Sequence, residues 1–220
     1  MSIVTIQASK DAFVSSRFPT NNFGSDGWIY IGRYASYNET MRTLLGFDLS
    51  LIPNGSIVIS ATLHLYGNHQ AEVMYPVPIT FDAYRVTGAW TESAVTWDTQ
   101  PTKESYPNVP GIISFYPSGF DSWDVTTLVS DMRHYGSDSM LLKVQNETES
   151  GSYRYCSKEA GALYAPYLEI EYAAGLFIAP IDGSISKAVT GLKIATAEGP
   201  IDKNVIGLQV FDGTGWKRVF

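Results

Sequence analysis

The sequence predicts an all-β fold: an antiparallel β-sandwich over residues 1–173, followed by a small β-rich C-terminal appendage over 174–220. Three observations point there. Short runs that alternate apolar and polar residues recur along the chain between Gly, Pro, Asn and Asp, the pattern of sandwiches and barrels. Hydrophobic residues make up 45% of the 220 positions and charged residues 17%, which suits a packed core and gives less charge than helix-rich domains carry. Helical spacing is confined to one segment, 125–135, where Val125, Leu128, Val129 and Met132 recur, with Asp124 as the expected N-cap and Gly136 as the stop.

The strands follow in order. Ser2-Ile-Val-Thr-Ile-Gln7 already alternates. After Gly24-Ser-Asp-Gly27, Ile29 and Ile31 take one face and Trp28 and Tyr30 the other. Thr43-Leu-Leu-Gly-Phe-Asp48 is closed by Pro53-Asn-Gly55, and Ala61, Leu63 and Leu65 then alternate with Thr62, His64 and Tyr66. Residues 77–86 read as a strand bounded by Pro76 and Pro78, which cannot donate to a central ladder. Met140–Val144 and Tyr153–Cys156 read as a pair joined by the polar 146–151 loop, and Leu168, Ile170 and Tyr172 close the sandwich. In the appendage, Pro180-Ile-Asp182 recurs as Pro200-Ile-Asp202, and Val189-Thr-Gly-Leu-Lys-Ile194 as Val205-Ile-Gly-Leu-Gln-Val210. This duplication predicts two similar β-units, with Asp212-Gly-Thr-Gly215 as a hairpin turn.

Charge narrows the possible partners. The net charge is −7, and residues 1–173 hold ten Lys and Arg against eighteen Asp and Glu, so a phosphate backbone is repelled and nucleic acid is not expected. No apolar run is long enough to span a bilayer, and no basic-then-apolar leader opens the chain, so neither a membrane span nor a signal peptide is expected. The single cysteine, Cys156, reads as an ordinary strand residue. His64, His69 and His134 complete no ligand set, so no metal or cofactor is expected. No nucleophile elbow, His-Glu-x-x-His, phosphate loop or dinucleotide fingerprint is present, and the expectation is a non-enzymatic protein.

Residues 11–172 resemble the DNRLRE domain family, whose members overlap with a group of alginate-binding carbohydrate modules. Asp11-Ala-Phe-Val, Asn22-Phe-Gly24, Arg42-Thr-Leu-Leu-Gly-Phe-Asp-Leu and Lys158-Glu159-Ala carry the resemblance. Ser60-Ala-Thr-Leu-His-Leu-Tyr66, Trp90-Thr-Glu-Ser-Ala-Val-Thr-Trp97-Asp-Thr-Gln-Pro101, Trp123-Asp-Val-Thr-Thr-Leu-Val129 and Ala165-Pro-Tyr-Leu-Glu-Ile-Glu-Tyr172 reinforce it. It implies a jelly-roll-like sandwich used as an accessory module of surface or secreted proteins. Lys158 stands where that family has Arg.

Two groups of residues follow. Asp11, Asn22, Arg42, Trp90, Glu92, Trp97 and Glu159 are expected to be structural, with Trp90–Pro101 a rigid aromatic corner and Arg42 paired to Glu159. Trp28, Tyr30, Arg33, Tyr66, Tyr84 and Arg154 are expected to contact a glycan, the rings stacking on sugars and the arginines bonding hydroxyls. The first functional expectation is a surface attachment protein, most simply a bacteriophage virion component, because residues 210–219 are similar to the endings of phage structural proteins. Residues 174–220 would then contact other virion subunits, with a homo-oligomer expected, and localisation would be the virion or extracellular surface. The alternative is a carbohydrate-binding module of a secreted or cell-surface polysaccharide-degrading or adhesive protein.

Overall fold

The computed structural model describes residues 1–67, 79–105, 109–113 and 119–173 in full, and 192–196, 205–211 and 216–218 by their backbone. The chain divides into two compact units, Met1–Leu176 and Phe177–Phe220.

In the first unit the elements run β1 (Ser2–Ser15), β2 (Trp28–Tyr34), β3 (Glu39–Phe47), β4 (Ile57–Gly67), β5 (Ile79–Arg85), β6 (Val109–Ile113), β7 (Gly119–Asp124), α1 (Thr126–Tyr135), β8 (Ser139–Val144), β9 (Gly151–Cys156) and β10 (Tyr167–Ala173). Every strand pairing is antiparallel. β1 serves two layers: residues 2–7 pair with β10, and residues 8–15 pair with β3 after a register shift between Ala8 and Lys10. The first layer runs β1-β10-β4-β7 and the second β6-β5-β8-β3-β1, while β2 joins the start of β3 to β9. The result is a nearly closed all-β sandwich, as the alternating pattern predicts.

The alternation also sets the core. Leu63, Leu65, Leu168 and Ile170 from the first layer meet Leu45, Phe47, Phe81, Met140 and Leu142 from the second. Ile29 and Ile31 are fully buried in the same cluster, as expected. α1 adds Leu128, Val129 and Met132. Its first turn differs slightly from expectation: Val125 occupies the N-cap position, and the capping bond comes from Asp124, whose Oδ1 accepts the Thr126 N–H at 2.9 Å. Gly136 ends the helix in the left-handed region at φ 70°.

The structure corrects one strand pairing. β8 and β9 are not partners: β8 lies between β3 and β5, and β9 pairs with β2. A short polar loop between two strand-like runs signals a hairpin only when the runs share an edge, and here both edges of β8 are already taken. β5 begins at Ile79, and residues 77 and 78 lie outside the described residues.

A second cluster lies on the outer face of the second layer. Ala12, Val14, Leu44, Tyr84, Val86, Val95 and Leu141 pack there with Trp90 and Trp97. The segment 87–104 crosses that face and is held by its neighbour. Asn22 Nδ2 donates to the Glu92 and Val95 carbonyls at 2.7 and 2.8 Å, and its Oδ1 accepts the Gly24 N–H at 3.2 Å. The Asn22-Phe-Gly24 motif is thus a backbone clamp.

In the second unit, β11 (Leu192–Thr196), β12 (Val205–Phe211) and β13 (Trp216–Arg218) form one antiparallel sheet. The two copies of the duplicated segment are neighbouring strands, with Leu192 opposite Val210 and Ile194 opposite Leu208. The Pro-Ile-Asp copies and the 212–215 turn lie outside the described residues.

A Cβ added at Gly24 would lie 2.1 Å from the Glu92 carbonyl oxygen, whereas one added at Gly27 would meet nothing within 4 Å. Gly24→Ala is therefore expected to cost about 1–3 kcal/mol by forcing backbone apart, with Gly27→Ala close to neutral. Denaturant melts of the two variants check this, and equal midpoints would contradict the clamp.

Candidate functional site

The two outer faces of the sandwich differ in kind. On the first layer, residues opposite one another across antiparallel strands share a face and stand about 5 Å apart. The register therefore builds rows. Tyr66 faces Phe120; Gln7, Tyr167, His64 and Ser122 form the next row; Thr5, Glu169, Thr62 and Asp124 the one after. The first two rows are an aromatic surface. His64 stacks on Tyr167 at 4.3 Å and 8°, Phe120 sits edge-on to Tyr66 and Tyr167 at 5.2 Å each, and Tyr164 packs against Tyr66 at 4.6 Å. Phe120 and Tyr164 remain 38% and 41% exposed. His64 shares a 2.8 Å hydrogen bond with Ser122, and burial lowers its pKa, which keeps the ring neutral near pH 7.

On the second layer the outer face is covered. Tyr84 lies on that face, but only 7% of it is exposed, because the Lys103 ammonium sits 3.5 Å above its ring. Its expected glycan contact is therefore not available without moving segment 87–104. Trp90 donates from Nε1 to Ser139 and lies under Lys10, and Trp97 lies under the Arg42 guanidinium at 4.5 Å. These contacts make the Trp90–Pro101 corner a packed lid. Arg42 does not pair with Glu159. It makes two bonds to Glu147, at 2.7 and 2.8 Å, and Lys143 joins the same carboxylate at 3.3 Å. Arg42 points to the outer face with Leu44, while Glu159 sits in the turn after β9, so sequence spacing alone misassigned the partner. Burial alone would raise Glu147, but the Arg42 bonds, with the Arg42 and Lys143 charges, outweigh it and hold the carboxyl below its usual range.

Trp28, Tyr30 and Arg154 come together on the β2–β9 pair, Trp28 opposite Cys156 and Tyr30 opposite Arg154. The Arg154 guanidinium lies 4.1 Å over the Trp28 ring, so that indole face is occupied. Tyr30 rests edge-on against Phe13 at 4.9 Å. Arg33 bonds Thr40 and Asn38 at 3.3 and 2.6 Å. The six residues expected to meet a glycan are thus divided among three surfaces. Only Tyr66 stands on the open aromatic face. Its companions His64, Phe120, Tyr164 and Tyr167 were missed because each sits in an ordinary alternating strand or turn, and only strand order shows that they meet.

The structural group gathers around Asp11, which is 1% exposed. Its Oδ2 accepts the Lys158 N–H at 2.8 Å, and its own N–H donates to Glu92 at 2.6 Å. The Lys158 ammonium bridges Glu92, at 3.2 Å, and Glu159. Through its backbone N–H and its ammonium, Lys158 thereby joins β1, the 87–104 lid and the turn after β9. Burial pushes the Asp11 carboxyl up to about 7, with Glu159 and Glu92 adding to the rise and the Lys158 N–H opposing it. Cys156 is buried, and among the described residues no group of three or more His, Cys, Asp or Glu is placed to hold a metal ion.

The contacting rings on the first layer present apolar faces of the kind that stack on sugar rings. The family comparison names the class: residues 2–172 match the model of carbohydrate-binding module family 96, and the chain belongs to that family. The curated relatives include the tRNA nuclease WapA of Bacillus subtilis (strain 168) and the tRNA(Glu)-specific nuclease WapA of Bacillus subtilis subsp. natto (strain BEST195). Each is 24% identical over 187 residues, covering 76% of this chain. The chain spans 7% of the length of those relatives.

Asp11 gives the protein a pH signature. Its carboxyl ionises near 3.8 when unfolded and near 7 when folded, so the folded state binds more protons between these values. The Asp11 contribution to stability is therefore lost as pH rises from about 4 through 7. Asp11→Asn keeps an oxygen for the Lys158 N–H and removes the titration, so the variant is expected to gain on wild type, by roughly a few kcal/mol, between pH 4.5 and 8. Denaturant melts across that range check it, and parallel profiles would contradict it.

Proposed function

We propose that this chain is a non-catalytic module that holds polysaccharide against the open face of its first layer. The observation that carries this reading is the group of five contacting rings, His64, Tyr66, Phe120, Tyr164 and Tyr167, which no other described segment crosses, while the opposite face is covered by the 87–104 lid. Ring faces and edges on a rigid β-surface present apolar area to the C–H side of a sugar ring without losing side-chain freedom on binding. Family membership supports the ligand class.

The setting follows from that role. A module of this kind is of use where polysaccharide is found, at a cell or virion surface or outside the cell. The nuclease activity in the names of the WapA relatives belongs to proteins in which the matching stretch is 7% of the length, and the reading here gives this stretch attachment rather than cleavage. The virion setting, and with it contacts and self-association through residues 174–220, rests on the sequence of that segment alone.

Glycan-array or affinity-gel binding of the full chain tests the site. Tyr66→Ala and Tyr167→Ala are each expected to weaken binding about three- to tenfold with folding retained, and Trp28→Ala to leave it unchanged. Binding lost with Trp28→Ala and kept with both tyrosine variants would move the site to the β2–β9 pair.

A further inference from the structure

We infer that Asn54 is a site of spontaneous covalent modification in the folded protein, losing its side-chain amide to the backbone nitrogen of Gly55. The pair is the one Asn-Gly of the sequence, and it sits in the turn that leads into β4, the strand that carries His64 and Tyr66. The Ser56 N–H donates to the Pro53 carbonyl at 3.1 Å, and Gly55 stands at φ 78°, a conformation that a residue with a Cβ adopts only at a cost. Asn54 and Gly55 are both exposed, and among the described residues no hydrogen bond reaches the Asn54 amide or the Gly55 N–H. Electrophile and nucleophile are thus adjacent, solvated and unengaged, and glycine puts no side chain in the way of attack. Asn22, Asn38 and Asn146 differ on both counts. Their side chains are bonded, respectively to the Glu92 and Val95 carbonyls, to Arg33, and to Thr148 and Glu149, and each precedes a residue that carries a side chain.

Atoms balance with hydroxide as the base and water as the only reactant consumed. The Gly55 nitrogen gives up its proton and bonds to the Asn54 side-chain carbonyl carbon, while the carbon–nitrogen bond of the amide breaks and ammonia leaves. Water then adds to either carbonyl of the succinimide ring so formed. Opening on one side gives aspartate. Opening on the other gives isoaspartate, whose backbone runs through the side chain and is longer by a methylene. Arg133 of α1 lines the same groove as Asn54 and Gly55 and donates to the carbonyls on either side of them: Ile52 at 3.3 Å, Pro53 at 2.9 Å and Ser56 at 2.9 Å. Its permanent charge favours both the deprotonated nitrogen and the carboxylate product. The same three bonds fix the span that the turn crosses, so aspartate keeps them and the longer isoaspartyl backbone does not.

Incubation of the full chain at mildly alkaline pH, with peptide mapping by mass and enzymatic methylation of isoaspartyl carboxyls, tests this. Asn54 is expected to convert at least about tenfold faster than Asn22, Asn38 or Asn146, with ammonia released in step, and Asn54→Gln, which would need a larger ring, to stay intact over the same time. Aged protein enriched in the isoaspartyl form is expected to unfold at a lower denaturant concentration than Asn54→Asp. An Asn54 that stays intact in the folded chain, or converts only in denaturant, would overturn the inference. Matching midpoints for the isoaspartyl form and Asn54→Asp would contradict the part given to Arg133.

Discussion

The architecture depends on β1 changing partners in mid-strand. Its first residues complete the layer that ends in β10, β4 and β7, and after the register shift between Ala8 and Lys10 it completes the layer of β3, β8 and β5. One covalent strand therefore belongs to both layers and ties them together. The shift also turns the following residues so that Ala12 and Val14 point outward and Asp11 and Phe13 inward. A bulge of this kind bends a strand and raises its twist, which is what a sheet needs in order to close. Asp11 stands a few residues beyond the bend, and its network with Lys158, Glu92 and Glu159 ties the bend to the lid.

The two outer faces follow from that arrangement. Apolar outward residues on the second layer, Ala12, Val14, Leu44 and Leu141, could not remain in water, and the lid carrying Trp90, Val95 and Trp97 buries them. Lys103 and Arg42 then spend their charges over Tyr84 and Trp97, inside the seam. The outer face of the first layer is more mixed, carrying amphipathic rings, hydroxyls and carboxylates beside the apolar Phe120 and Ile3. Tyrosine and histidine keep a polar atom for water or ligand while their faces stay apolar. One face is closed over by the lid, and the other carries the rings proposed above to meet sugar.

The fold was legible because alternation is a local property. Ile29 and Ile31, or Leu63 and Leu65, declare their side of the sheet within a single strand, and the helix at 126–135 declares itself by spacing and by Gly136. Motifs such as Asn22-Phe-Gly24 and Glu92 were readable as structural because their chemistry suits backbone clamping, and the hydrogen bonds of Asn22 and Glu92 have that character. The site was much less legible. Tyr66 could be placed on an outer face from β4 alone, but whether that face was open depended on what crossed it, and Tyr84, equally outward on β5, lies under the lid. Phe120 comes from β7, and Tyr164 and Tyr167 from the start of β10 and the turn before it, and the sequence contains no signal that β10 and β7 flank β4. The Arg42 partner failed for the same reason: complementary charge is common, and only topology selects Glu147 over Glu159.

The central claim is that the open face of the first layer is the recognition surface. Amide chemical-shift mapping during titration with a bound oligosaccharide addresses it strand by strand. The expected result is a continuous set of shifts along β4, β7 and β10 around His64, Phe120 and Tyr167, with β5 and β8 undisturbed. Shifts confined to β5, β8 and the 87–104 lid, with β4 and β10 silent, would contradict it.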